Sequence, residues 1–249
     1  MATFLIAHGG WSAGWVWKKM RPLMQQRGHA FFTPTYTGIG ERRHLANPDI
    51  DLSTHVADLQ GVIEYEGLEN IILVGHSYGG MVATQLADSM SEKVAELVYL
   101  DAFAPRDGQS LFDLQTDEVR TRMQAATREV GDGWQVPPNP SPPDTSPEDL
   151  AWVSGKRVPQ PIRTFQERVR LTGAVDRIHR TYIYATTPPP GNLFKQFADR
   201  ARSEEGWRYL EIGASHNPHV TIPVTLADMF DDIAQDVDMR NKTAKGATT

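Results

Sequence analysis

The chain has 249 residues, 40% of them hydrophobic and 22% charged, enough for one α/β domain with a sizeable buried core. A net charge of −6 gives no basic footprint for nucleic acid, and the lack of cysteine excludes a disulfide framework, a thiol nucleophile and a thiolate metal site. The first residues, Met1-Ala2-Thr3-Phe4-Leu5-Ile6-Ala7, carry no basic leader and too short an apolar run for a secretory or membrane segment, so a cytoplasmic protein without a membrane partner is expected.

Thr3 to Ala7 reads as a buried strand running into the turn His8-Gly9-Gly10-Trp11. Val16, Met20, Leu23 and Met24 recur at helical spacing before Gly28, and Pro22 inside that pattern implies a kink or a later helix start. Ala30 to Thr35 reads as a second strand, and 37–43 as a loop with Arg42 and Arg43 solvated. Leu52 to Gly67 reads as a helix with Ser53 as its N-cap and Val56, Leu59 and Ile63 toward the core.

Ile71, Ile72, Leu73 and Val74 form an uninterrupted apolar run, which predicts a strand buried on both faces of a parallel sheet. It leads into Gly75-His76-Ser77-Tyr78-Gly79-Gly80 and a helical stretch from Met81. Strand, G-x-S-x-G and helix in that order is the pattern of a nucleophile elbow, where a serine is presented on a strained turn between closely packed elements. Ser77 is therefore the candidate nucleophile; the competing reading is a glycine-rich turn whose serine only caps the helix.

Val94 to Leu100 is another buried strand, ending in Asp101. Residues 104–172 break the pattern, with a helical stretch around Thr116 to Val130 and then Val136 to Pro147, which holds six of the chain's 17 prolines and cannot continue a sheet. This segment is expected to cap the carboxyl ends of the strands, where open α/β sheets bind ligands. The core is then 1–103 with 173–238, and the polar stretch 239–249 is expected to be a disordered tail. Trp11, Phe103, Trp134 and Trp152 are the candidate substrate-binding residues; Phe103, Leu111, Phe112, Trp134, Trp152 and Phe165 each serve equally as pocket wall or as cap core. Arg180 to Ala185 and Trp207 to Ile212 complete a mostly parallel six-stranded sheet, with helices at 192–202 and 224–237.

Enzymes with such an elbow carry their base after the last strand, where His216 stands; His219, three positions on, is the competitor, but it enters the next helix. The backbone N–H groups of Gly10 and Tyr78 are the candidate oxyanion hole, and His8 is expected to fasten the first turn. No carboxylate follows the strand at 180–185 before Asp199. Asp101 sits at the tip of the strand next after the elbow strand and is the candidate acid, its alternative being to cap its own turn. The histidines show no metal-ligand spacing, so no metal site is expected.

His8-Gly9-Gly10-Trp11 through Trp17, Thr33-Pro34-Thr35 with Thr37-Gly38 and Gly40-Glu41-Arg42, the elbow, and Tyr99-Leu100-Asp101-Ala102-Phe103 with Pro105 together resemble the short bacterial α/β-hydrolase esterases. These are related to plant methylesterases and hydroxynitrile lyases and include pyrethroid- and carbendazim-hydrolysing enzymes. The resemblance implies an α/β-hydrolase fold, no cofactor, and a serine, histidine and acid triad acting on a small lipophilic ester or carbamate. Many relatives supply the acid after the penultimate strand, which this chain does not. The lyase branch carries a lysine after the histidine where Asn217 stands here, which disfavours cyanohydrin cleavage. A lyase, or a binding protein without turnover, is the alternative on the same scaffold. The sequence carries no signal of oligomeric state.

Overall fold

The computed structural model describes residues 1–187 and 192–246. Its strands are β1 (Thr3–Ala7), β2 (Ala30–Phe32), β3 (Ile71–His76), β4 (Val94–Leu100), β5 (Gln135–Val136), β6 (Gln160–Pro161), β7 (Arg180–Ala185) and β8 (Trp207–Ile212). Six of them form one parallel sheet in the order β2-β1-β3-β4-β7-β8, while β5 and β6 pair antiparallel by themselves. The helices are α1 (Met20–Gln26), α2 (Leu52–Tyr65), α3 (Gly79–Ser89), α4 (Asp117–Val130), α5 (Pro147–Ser154), α6 (Arg163–Gln166), α7 (Lys195–Ser203), α8 (Pro218–Thr221) and α9 (Pro223–Gly246).

Side chains alternate across a strand, and here the alternation divides the core in two. Leu5, Leu73 and Leu97 face α2, α3 and α7 in one cluster, whereas Phe4, Ile6, Ile72, Val74 and Val98 face α1 and α9 in the other. Covering both faces is what lets β3 be wholly apolar up to Gly75, and each fully buried Leu or Ile contributes roughly 1.5–3 kcal/mol. No helix among the described residues is long and apolar enough to cross a membrane.

Several local expectations are corrected. A 3₁₀ turn spans Gly14–Lys19 and α1 begins at Met20, so Pro22 lies in the first helical turn, where its missing N–H costs no hydrogen bond. β2 ends at Phe32 and not at Thr35; Pro34 has no N–H for a ladder, and the Thr35 hydroxyl accepts the Gly14 N–H at 3.0 Å. The N-cap of α2 is Asp51 rather than Ser53, because Asp51 Oδ1 accepts the Thr54 N–H at 3.0 Å and the Thr54 hydroxyl accepts the Asp51 N–H in return. Arg43 is exposed, while Arg42 is only partly solvated and also donates to Thr35 O at 2.9 Å and Asp58 Oδ1 at 3.1 Å. The helix expected from Asn192 starts at Lys195.

Residues 239–246 continue α9 and do not form the expected tail. Arg240 pairs with the buried Glu96 carboxylate, and Asn241 bonds Asn70 at 3.2 Å, which ties this last stretch to the sheet. Positions 247–249, and 188–191 of the proline-rich sequence after β7, lie outside the described residues. Between β4 and β7 the chain leaves the sheet for α4, β5, α5, β6 and α6.

Candidate active site

β3 ends one residue before Ser77, whose φ is +54°. A non-glycine residue held in the left-handed region costs on the order of 1–3 kcal/mol, so packing must impose it. That packing is glycine-dependent: a Cβ at Gly79 would lie 1.9 Å from Ala7 O, and one at Gly80 would lie 1.9 Å from Phe103 O. The close approach brings α3 directly under the elbow, with Tyr78 at its N-cap. Neither the Tyr78 nor the Gly10 N–H has a hydrogen-bond acceptor among the described residues, and the Tyr78 N–H lies at the positive end of the α3 dipole.

Asp101 follows β4 and has φ of +41°. Its N–H donates to Ile183 O at 2.8 Å, and the Tyr182 hydroxyl donates to Ala102 O at 2.9 Å, which fixes this turn against β7. The buried carboxylate divides its oxygens: Oδ2 lies 2.7 Å from His216 Nδ1, and Oδ1 accepts the Ala185 N–H at 3.4 Å. An ionised carboxylate only accepts, so Nδ1 carries the imidazole proton and the Nε2 lone pair is left toward the cavity. Phe194 stacks on the ring with centroids 4.8 Å apart.

Two contacts that the sequence did not suggest hold the His216 loop. His76, inside the elbow, donates from Nε2 to the His216 carbonyl at 2.8 Å. Asp144, from the proline-dense stretch, accepts the Ser215 N–H at 3.1 Å and the Ser215 hydroxyl as well. Neither residue carries a local signal, since each acts through a partner remote in the chain.

Four histidines near the site are buried in the neutral form. Desolvation is the main cause for each, lowering His8 to about 4, His55 and His219 to about 3, and His76 well below its ordinary value. His8 donates from Nδ1 to Gly9 O at 2.9 Å and accepts the Tyr36 N–H at 3.3 Å, fastening the first turn. His219 stacks on Trp17 at 4.4 Å and has no carboxylate beside it among the described residues.

Ser77, His216, Asp101, Gly10 and Tyr78 all line one cavity of about 500 Å³. Ser77 Oγ makes no hydrogen bond to His216 among the described residues; such contacts characteristically tighten once substrate is bound. Trp11, Phe103, Leu111 and Phe165 also line the cavity, with the edges of Trp11 and Tyr78 set against Phe165 at centroid distances of 5.5 Å. Trp134, Trp152 and Phe112 do not. Trp152 packs edge-on against Trp15 at 5.8 Å, Trp134 is engaged through its backbone with Gly131 and Ile162, and Phe112 is core of the inserted segment. Met123, Pro140, Pro142, Arg122 and Arg157 take their place in the wall. No three His, Asp or Glu side chains form a group that could hold a metal ion among the described residues.

A parallel sheet of this order, with a strained serine between β3 and α3 and a histidine after β8, defines a class, and the matching family model confirms it. Residues 4–229 match the alpha/beta hydrolase family, so the chain belongs to that family and is a hydrolase of the carboxylesterase type. Among individual relatives, a carbendazim hydrolyzing esterase of Nocardioides sp. (strain SG-4G) is 35% identical, covering 92% of this chain and 98% of that protein. The putative methylesterase 13 of Arabidopsis thaliana, a chloroplastic protein, is 25% identical over 93% of this chain, which spans 56% of its length. An extracellular alpha/beta-hydrolase from a Paenibacillus species shares the fold, with a TM-score of 0.80 and 24% identity over 92% of this chain and 98% of that one.

Proposed function

We propose that this protein hydrolyses a small lipophilic carboxylic ester or carbamate through an acyl-enzyme, with Ser77 as nucleophile, His216 as base and Asp101 as the acid that orients it. The observation that carries the reading is the 2.7 Å contact between His216 Nδ1 and Asp101 Oδ2 on the wall of the cavity that also holds the strained Ser77. With Nδ1–H given to the carboxylate, Nε2 takes the Ser77 proton as the hydroxyl attacks the carbonyl carbon and returns it to the leaving group. The negative charge that develops on the carbonyl oxygen is met by the N–H groups of Gly10 and Tyr78, which have no other acceptor among the described residues. Water then repeats the sequence on the acyl-enzyme, releasing the acid and restoring Ser77.

The apolar lining from Trp11, Phe103, Leu111, Met123 and Phe165 supports a lipophilic substrate, and the 35% identical relative is named for hydrolysing carbendazim. The inserted segment at 104–172 acts as the cap of this pocket, since Leu111, Met123, Pro142 and Phe165 of its wall come from there. The test is a panel of aryl esters and carbamates of graded acyl size, read by released acid with wild type and Ser77→Ala. Acid release that depends on Ser77 is the expected result; a Ser77→Ala protein with full turnover, or products lacking an acid, overturns the reading.

A further inference from the structure

Trp11 occupies an uncommon backbone position. Its φ is +57°, in the region a bulky residue enters only when its surroundings hold it there. All three of its hydrogen-bonding groups are taken by the segment between β4 and β7: its N–H donates to Gln160 Oε1 at 2.9 Å, its indole N–H donates to Val136 O at 2.9 Å, and its carbonyl accepts the Val158 N–H at 3.3 Å. The β5–β6 pair therefore grips the turn that follows β1.

Gln160 is fully buried, and its own amide is held in turn. Nε2 donates to the Thr164 hydroxyl at 2.9 Å, and that hydroxyl donates to Pro161 O at 2.7 Å. The carbonyl end lies over Gly10, where an added Cβ would come within 3.2 Å of Oε1. Of two successive N–H groups in this turn, Trp11's is consumed by Gln160 and Gly10's is left without an acceptor among the described residues.

We propose that Gln160 is a positioning residue for the oxyanion hole: by capturing the Trp11 N–H it holds the turn in its strained form and so fixes the Gly10 N–H toward the reacting carbonyl. The inference rests on the functional reading above. Without the Gln160 carbonyl, the part-buried N–H at Trp11 loses its acceptor and the strain at that residue is unopposed. Rotation about Gly10, which has no Cβ to resist it, relieves both and moves the Gly10 donor off its target. A donor out of place acts on the transition state and leaves ground-state binding unchanged.

The test is Gln160→Met, close in volume but without the acceptor, alongside Gln160→Glu, which keeps one. The readouts are kcat and KM on a neutral aryl acetate, affinity for a trifluoromethyl ketone that forms a tetrahedral adduct, and affinity for the product acid. For Gln160→Met the expected result is kcat lower by roughly 30-fold, KM within about twofold, and adduct affinity reduced in step with kcat, given that loss of a whole donor costs about 10²–10³. Product-acid affinity is unchanged, and Gln160→Glu recovers part of the rate. Should Gln160→Met fail to fold, Thr164→Val, which frees the amide at its other end, is expected to show the same pattern in weaker form. Unchanged kcat, or a raised KM with unchanged adduct affinity, overturns the proposal. Ser77→Ala separates the two layers: if it stays active, the esterase reading fails, whereas an inactive Ser77→Ala with a fully active Gln160→Met refutes only the role of Gln160.

Discussion

His76 donates its Nε2 proton to the backbone carbonyl of His216 at 2.8 Å, so the strand end that presents Ser77 also holds the loop that presents the imidazole. The two chain segments are 140 positions apart, and this bond registers one against the other. His76→Phe keeps a ring in place and removes the donor, leaving the His216 carbonyl unpaired at a cost of about 1–3 kcal/mol. The expected outcome is kcat reduced by about tenfold or more with KM little changed. Steady-state kinetics on the folded variant check it, and an unchanged kcat contradicts it.

Asp101→Asn separates the role proposed for this carboxylate from the folding of its turn. Asn tolerates a positive φ as readily as Asp, so the turn at +41° is retained, while a neutral amide no longer selects the Nδ1–H tautomer of His216. kcat is expected to fall by about 10⁴-fold with the melting temperature nearly unchanged. Retained activity would point to a dyad of Ser77 and His216.

Asp144 ties the proline-dense stretch to Ser215, the neighbour of His216. Asp144→Ala releases both, so amide exchange at Ser215 is expected to quicken and KM to rise several-fold as the wall containing Pro140 and Pro142 loosens. Hydrogen exchange read at Ser215, together with KM, checks the coupling. An unaltered exchange rate contradicts it.

Stability should be acid-sensitive well above the carboxylate range. His8, His55, His76 and His219 are neutral when folded, with burial lowering His8 to about 4 and His55 and His219 to about 3, whereas the unfolded chain takes up protons near 6.5. Below pH 6.5 the unfolded state therefore binds more protons than the folded one. The histidines' contribution is level from that pH upward and falls through the window from 6.5 toward 4 and then 3, by about 1.4 kcal/mol per pH unit for each histidine. Urea midpoints taken stepwise across the window should decline steeply; a flat midpoint contradicts this account.

The sheet was legible because its strands are short apolar runs, and β4, β7 and β8 begin and end where the pattern changes. The strained turn at Ser77 is readable from the strand, G-x-S-x-G and helix pattern, and the place of Asp101 from the apolar run that ends at it. What the sequence did not disclose is contact between remote positions. Gln160 and Trp11 are 149 apart, and Asp144 and Ser215 are 71 apart. No local period encodes such a pairing. The packing of Trp152 is hidden for the same reason, since its partner Trp15 lies outside the inserted segment and no local pattern distinguishes that contact from lining a cavity. The polarity of 239–246 conceals its helix, because what anchors that stretch is a remote pairing of Arg240 with the buried Glu96 carboxylate.

The most direct measurement of the central claim is covalent labelling with a fluorophosphonate, mapped by mass spectrometry in wild type, Ser77→Ala and His216→Ala. The account predicts one label per chain, on Ser77, lost in the first variant and strongly slowed in the second. A wild-type protein that stays unlabelled, or one labelled at another residue with Ser77 untouched, would contradict it.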